Sequence, residues 1–144
     1  MYSVTVPGEP KAKGRPKVAR FGKGGFVKMY SPKKTVEYEN LIRLFFAEQN
    51  PGAKLIEGPV SMTIGAHFGI PKSASKKQQE AMLLDEIRPT KRPDSDNIIK
   101  IFADSLNGIA YKDDSQICMA YCEKAYRRVP KCICLIGAMR GGEA

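Results

Sequence analysis

Val60, Met62, Ile64, Ala66, Phe68 and Ile70 occupy alternate positions, with Ser61, Thr63, Gly65, His67 and Gly69 between them. Successive strand residues point to opposite faces. The pattern therefore predicts a long strand over 60–70, apolar on one side and less apolar on the other. Such a strand folds only if another layer covers its apolar face. Residues 32–49 can supply that layer. Leu41, Ile42, Leu44, Phe45 and Phe46 give the segment a broad apolar side, and Val36, Glu39, Asn40, Arg43 and Glu48 mark a polar one. It reads as a helix with Ser31 as N-cap and Pro32 at the first helical position. It ends before Asn50-Pro51-Gly52.

Further elements flank this pair. Tyr2–Val6 alternates and reads as a short strand stopped by Pro7-Gly8-Glu9-Pro10. Val18–Phe21 and Phe26–Tyr30 read as a hairpin around Gly22-Lys23-Gly24-Gly25, whose glycines admit positive φ. Residues 73–86 read as a helix starting near Ser73 or Ser75 and exposed along most of its length. A helix capped by Asp94 or Asp96 runs to about Leu106, burying Ile98, Ile99, Ile101, Phe102 and Leu106. Strands are expected over 115–126 and Cys132–Ile136, with a frayed tail from Ala138. The 144 residues fit one domain, 1–144. No run approaches the roughly 18–20 apolar residues of a membrane span. The N-terminus lacks the basic cap and apolar stretch of a signal peptide, so a cytoplasmic protein is expected. Cys118, Cys122, Cys132 and Cys134 are spaced unlike a zinc site and read as small apolar core residues.

Charge is distributed unevenly. Residues 1–34 hold nine basic side chains and one acid, Glu9, while 35–144 hold fifteen basic and fourteen acidic ones. A concentrated positive field attracts polyanions. Segment 11–34 is thus the candidate polyanion-binding element, carrying a hairpin expected to be mobile without a ligand. Lys11, Lys13, Arg15 and Lys17 are its candidate phosphate contacts, with Lys23, Lys28 and Arg92 as peripheral ones. A solubilising surface would give the same composition.

The segment from Arg92 to Gln116 carries the chemistry. Asp96, Lys100 and Asp104 are four apart and lie above one another on successive helical turns. Asp94 precedes them at the helix mouth. Asp113-Asp114 follows the helix, and a chain that folds back would bring one of that pair to Asp94 and Asp96. Clustered carboxylates repel unless a cation or proton compensates them. Mg²⁺ takes oxygen ligands, often one or two carboxylates with waters and substrate phosphate, and supports phosphodiester hydrolysis. A lysine such as Lys100 can stabilise charge developing on phosphorus. The same residues also suit helix capping, exposed i,i+4 ion pairs and turns. The only histidine, His67, has no placed partner.

Arg92-Pro93-Asp94-Ser95-Asp96-Asn97, Lys100, Asp104-Ser105-Leu106, Gly108, Tyr111 and Asp113-Asp114-Ser115-Gln116 resemble the RusA-type Holliday junction resolvases, bacterial and prophage endodeoxyribonucleases. Pro7, Lys11-Ala12-Lys13-Gly14-Arg15-Pro16 and Tyr30-Ser31-Pro32 carry the likeness towards the N-terminus. The resemblance implies a compact α/β domain with a mixed sheet and helices packed against it. It implies a homodimer that cuts four-way DNA junctions with Mg²⁺, for which Mn²⁺ can substitute. By motif, Asp94, Asp96 and Asp114 match the family's catalytic, metal-binding acids and Lys100 its lysine. Asp104 matches a supporting acid, and Asp113 a neighbouring position with a share in the metal. Two other readings compete. One is a non-catalytic DNA- or RNA-binding protein; the other is a small interaction protein whose basic segment docks an acidic partner.

Overall fold

The computed structural model describes residues 1–15, 17–22, 24–30 and 32–139. Six strands and three helices follow one another as β1 (Tyr2–Pro7), β2 (Lys17–Phe21), β3 (Phe26–Tyr30), α1 (Lys33–Gln49), β4 (Val60–Gly69), α2 (Lys76–Leu83), α3 (Ser95–Ser105), β5 (Ile117–Arg127) and β6 (Lys131–Ala138). A 3-10 turn, Asp114–Gln116, precedes β5. The main sheet has the order β1-β6-β4-β5. β6 is antiparallel to both β1 and β4, whereas β4 and β5 are parallel. The fold is α/β with a mixed sheet, as the sequence led one to expect.

β4 is central because both of its edges are paired. Its apolar row, Val60, Met62, Ile64, Ala66 and Phe68, is buried to 2 % exposure or less. The register aligns Ile64 with Cys134 on one side and Cys122 on the other. Cys132 and Cys134 are buried and Cys122 is half-buried. Burial pushes the Cys122 and Cys132 thiols up to about 11, so they stay protonated and pack as apolar groups. Cys118 departs from the expectation of core thiols: it sits exposed near the start of the β5 edge strand.

α1 packs on β1 and α3, and α2 and α3 pack on β5. Tyr38 of α1 meets Phe102 of α3 edge-on, with ring centroids 6.2 Å apart. The buried stripe of α1 is Thr35, Tyr38, Glu39, Ile42 and Phe46. That stripe corrects the sequence expectation, because Leu41 and Leu44 are exposed while Glu39 faces inward. The helical period places 35, 38, 39, 42 and 46 on one side, and Glu39 finds basic partners there. The expected Ser31 cap lies outside the described residues. Pro32 takes the N-cap position without a side-chain cap, its ψ of 145° being extended and its carbonyl accepting from the Val36 amide.

Three other boundaries move. α2 is capped at Ser75, one of the two expected starts, where a capping box with Gln78 satisfies the first amides. It stops at Leu84, followed by Asp85 at φ 61°. The residues before β5 form a 3-10 turn rather than a strand. β6 runs on to Ala138, and the Met139 amide donates to the Pro59 carbonyl; residues 140–144 lie outside the described residues. The hairpin β2–β3 forms its own two-stranded sheet. Gly22 (φ 75°) and Gly25 (φ 69°) turn it. Among the described residues, no helix is long and apolar enough to cross a membrane.

Candidate metal centre and DNA-facing segment

α3 supplies the frame of the site. Ile98, Ile101, Phe102, Ala103 and Ser105 bury one side of it. The opposite side carries exposed Asp96 and Lys100 and half-buried Asp104. Asp94 is the N-cap residue with no side-chain capping bond, and it too is exposed. Asp96 lies two turns from Asp104, about 12 Å along the axis at 1.5 Å per residue.

The chain does fold back after α3. Gly108 takes φ 73° and its amide donates to the Tyr111 carbonyl. Tyr111 is fully buried, and its hydroxyl donates to the Ala103 carbonyl of α3 at 2.6 Å. The following turn is held by Gln116. Its Oε1 accepts from the amides of Lys112 and Asp113 at 2.9 and 3.1 Å. Its Nε2 donates to the carbonyls of Ile56 and Gly58 at 2.9 and 3.0 Å. Asp113 caps the turn by accepting from the Ser115 amide, and hydrogen bonding from the Ser115 side chain, then from its amide, holds the carboxyl below the usual range.

Asp114 is thereby delivered to Asp104. Burial raises the Asp114 carboxyl above its ordinary range; the negative charges of Asp113 and Asp104 and a hydrogen bond to Asp104 push it the same way. Lys13 Nζ donates to Asp104 Oδ2 from 2.6 Å and stands 4.0 Å from Glu39 Oε2. Arg43 NH2 lies 3.9 Å from the same Glu39 oxygen, and Arg43 Nε donates to the Ser105 carbonyl. Asp104, expected to play a supporting part, thus stands at the meeting point of α1, α3, the N-terminal arm and the Asp114 turn.

Among the described residues, no three His, Cys, Asp or Glu side chains are placed to share one metal ion. The donor chemistry of the Asp104–Asp114 contact nevertheless fits a hard divalent cation. Both groups are carboxylates; the Lys13 ammonium already compensates Asp104, which leaves Asp114 as the carboxylate beside it that a cation would neutralise. One or two carboxylates are the usual protein share of a Mg²⁺ shell.

Of the remaining basic residues, Lys11, Arg15, Lys17, Lys28 and Arg92 are exposed, and Lys23 lies outside the described residues. Lys13 alone among the described arm candidates is drawn into an ion pair with an acid of the site. Arg88 is engaged elsewhere, donating to Glu123 Oε1 at 2.9 Å and to the Lys124 carbonyl at 3.0 Å. His67 lies on the less apolar side of β4. Burial and the nearby cations Arg127 and Lys131 hold its imidazole below the usual range.

Sequence reasoning did not find the positioning parts of Tyr111, Gln116 and Glu39. Gln116 had a legible signal: an amide three residues after an Asx cap can close a capping box. Glu39 had none, because its partners come from distant segments.

Comparison with known proteins identifies the family. The family model described as "Endodeoxyribonuclease RusA" matches residues 7–136, from the basic arm through the Asp114 turn to β6. The uncharacterized protein YqaN of Bacillus subtilis (strain 168) is 38% identical over 129 residues, covering 88% of this chain and 89% of YqaN. With the matched span covering both the arm and the acidic helix, the chain belongs to the RusA family of endodeoxyribonucleases.

Proposed function

We propose that the protein resolves four-way DNA junctions by Mg²⁺-dependent phosphodiester hydrolysis, acting as a homodimer. The observation that carries the reading is the family match over residues 7–136, supported by a face of α3 that presents Asp96, Lys100 and Asp104 and is reached by the basic arm through Lys13. In this reading Asp94, Asp96 and Asp114 are the metal-facing acids, with Asp113 beside them. When bound, a divalent cation supplies polarisation of the scissile phosphate and a nucleophilic water at neutral pH.

The chain's own residues do the rest. Lys100 neutralises charge that develops on the non-bridging phosphate oxygens. Lys11, Arg15 and Lys17 hold backbone phosphates, with Lys23, Lys28 and Arg92 at the periphery; such contacts position DNA without reading its sequence. The water oxygen bonds to phosphorus as the P–O3′ bond breaks, leaving a 5′-phosphate, and a proton ends on the 3′ oxygen. Two copies related by a twofold axis offer equivalent sites to two related strands of a junction.

The test is a matched panel of labelled duplex, fork, flap and four-way junction, each with and without Mg²⁺. Paired symmetric nicks in the junction are expected, and Asp96→Asn should reduce their rate by at least about a thousandfold, the scale on which removal of a catalytic group acts. Junction binding without cleavage in either Mg²⁺ or Mn²⁺ would identify a binding protein instead. Full activity of Asp96→Asn would remove the catalytic assignment.

A further inference from the structure

Lys13 carries a charge like its neighbours on the arm, yet its surroundings differ from theirs. Its ammonium lies 2.6 Å from Asp104 Oδ2 and 4.0 Å from Glu39 Oε2. The three side chains keep only 23%, 20% and 11% exposure respectively. The backbone beside it is also fixed. The Gly14 amide donates to Thr35 Oγ1 at 2.9 Å, and Thr35 is buried. A Cβ on Gly14 would stand 2.9 Å from both Pro32 Cγ and Thr35 Oγ1. The arm is therefore pressed onto the start of α1, and the absence of a side chain at residue 14 lets Lys13 reach across to α3. A lysine that grips phosphate keeps its ammonium available to solvent. This one already has two carboxylates around it.

We propose that Lys13 is a positioning residue of the acidic site and not a phosphate contact. Its ammonium fixes the Asp104 carboxylate on the face of α3 that also carries Asp96 and Lys100, and it roots the hairpin-bearing arm on that carboxylate. The proposal rests on the reading of these acids as a divalent-cation site. A positive charge at ion-pair distance from Asp104 also weakens the pull of the site on any second cation. Removing it should tighten divalent binding while releasing Asp104 from its place. Arginine, which keeps the charge, should restore the wild-type balance.

Two measurements on the full chain, neither using cleavage, separate this role from phosphate binding. The first is Mn²⁺ affinity without DNA, followed by electron paramagnetic resonance of free Mn²⁺. Lys13→Met should bind about tenfold more tightly than wild type, with Lys13→Arg and Arg15→Met within about twofold of it. The second is the salt dependence of four-way junction binding in EDTA. Arg15→Met should lower the slope of log K against log salt by about one, and Lys13→Met should leave it unchanged. Lys13→Gln repeats both measurements should the methionine variant unfold. Unaltered Mn²⁺ affinity in a folded Lys13 variant, or a slope lowered by about one, overturns the proposal while the metal reading stands. No Mn²⁺ uptake by the wild-type protein overturns the metal reading and the proposal with it.

Discussion

Asp85 adopts φ 61°, a left-handed conformation uncommon outside glycine, asparagine and aspartate. Its carboxylate accepts from Arg127 NH1 at 2.7 Å and from NH2 at 3.1 Å, and Arg88 stands 3.7 Å away. The Arg127 hydrogen bonds, more than any other influence, hold this carboxyl below the usual aspartate range. A depressed carboxyl stabilises the fold above its unfolded-state pKa, and that contribution disappears as pH falls through the folded-state value. Asp85→Asn keeps a side chain that tolerates the left-handed backbone and removes only the charge. The variant should therefore melt below wild type near neutral pH, and the gap should close in acid below the ordinary aspartate range. Thermal unfolding followed by circular dichroism across that range checks both limbs. A gap independent of pH would show that the bidentate pair does not set it. Nothing in the local sequence advertised this pair, because Asp85 and Arg127 lie 42 positions apart.

At the level of elements, legibility followed periodicity. β4 was plain because its alternation reports directly which side is buried, and α3 because its apolar positions recur at helical spacing. α1 was legible as a helix but not in its orientation. Leu41 and Phe45 sit next to the buried stripe, so composition alone shifted the expected apolar side away from Glu39. The fold-back after α3 was foreseeable from Asn107-Gly108, whereas its landing point was not. Tyr111 and Gln116 direct Asp114 to Asp104 through bonds to Ala103, Ile56 and Gly58, and such bonds leave no periodic trace. The Gly14 crossing was equally silent, since glycine in a basic segment reads as a loop residue. Its substitution gives an element-scale expectation. Gly14→Ala must displace Pro32 or Thr35, and overpacking of this kind costs about 1–3 kcal/mol. Chemical denaturation should show that loss, whereas Gly22→Ala, with nothing within 4 Å of the added carbon, should show only the smaller cost of its positive φ.

For the molecule as a whole, charge and core are separated along the chain. The excess of positive side chains belongs to residues 1–34, and the apolar core to α1, α3 and the four-stranded sheet. β2 and β3 pair only with each other among the described strands. The segment leaves the body at Gly14 and returns at Pro32, and those two residues approach each other closely. Replacing 17–30 by a short Gly-Ser linker should therefore leave a cooperatively unfolding protein, observed as a single denaturation transition. The same deletion removes Lys17, Arg20, Lys23 and Lys28, so the salt slope of DNA binding should fall by about three to four. Loss of cooperative unfolding would show that the hairpin is needed to complete the core. Because the excursion begins and ends at nearly one point, its length and chemistry can vary between descendants without disturbing α3 or the four-stranded sheet. Evolution, or an engineer, could thereby exchange this basic hairpin as a cassette while leaving the acidic face of the body intact.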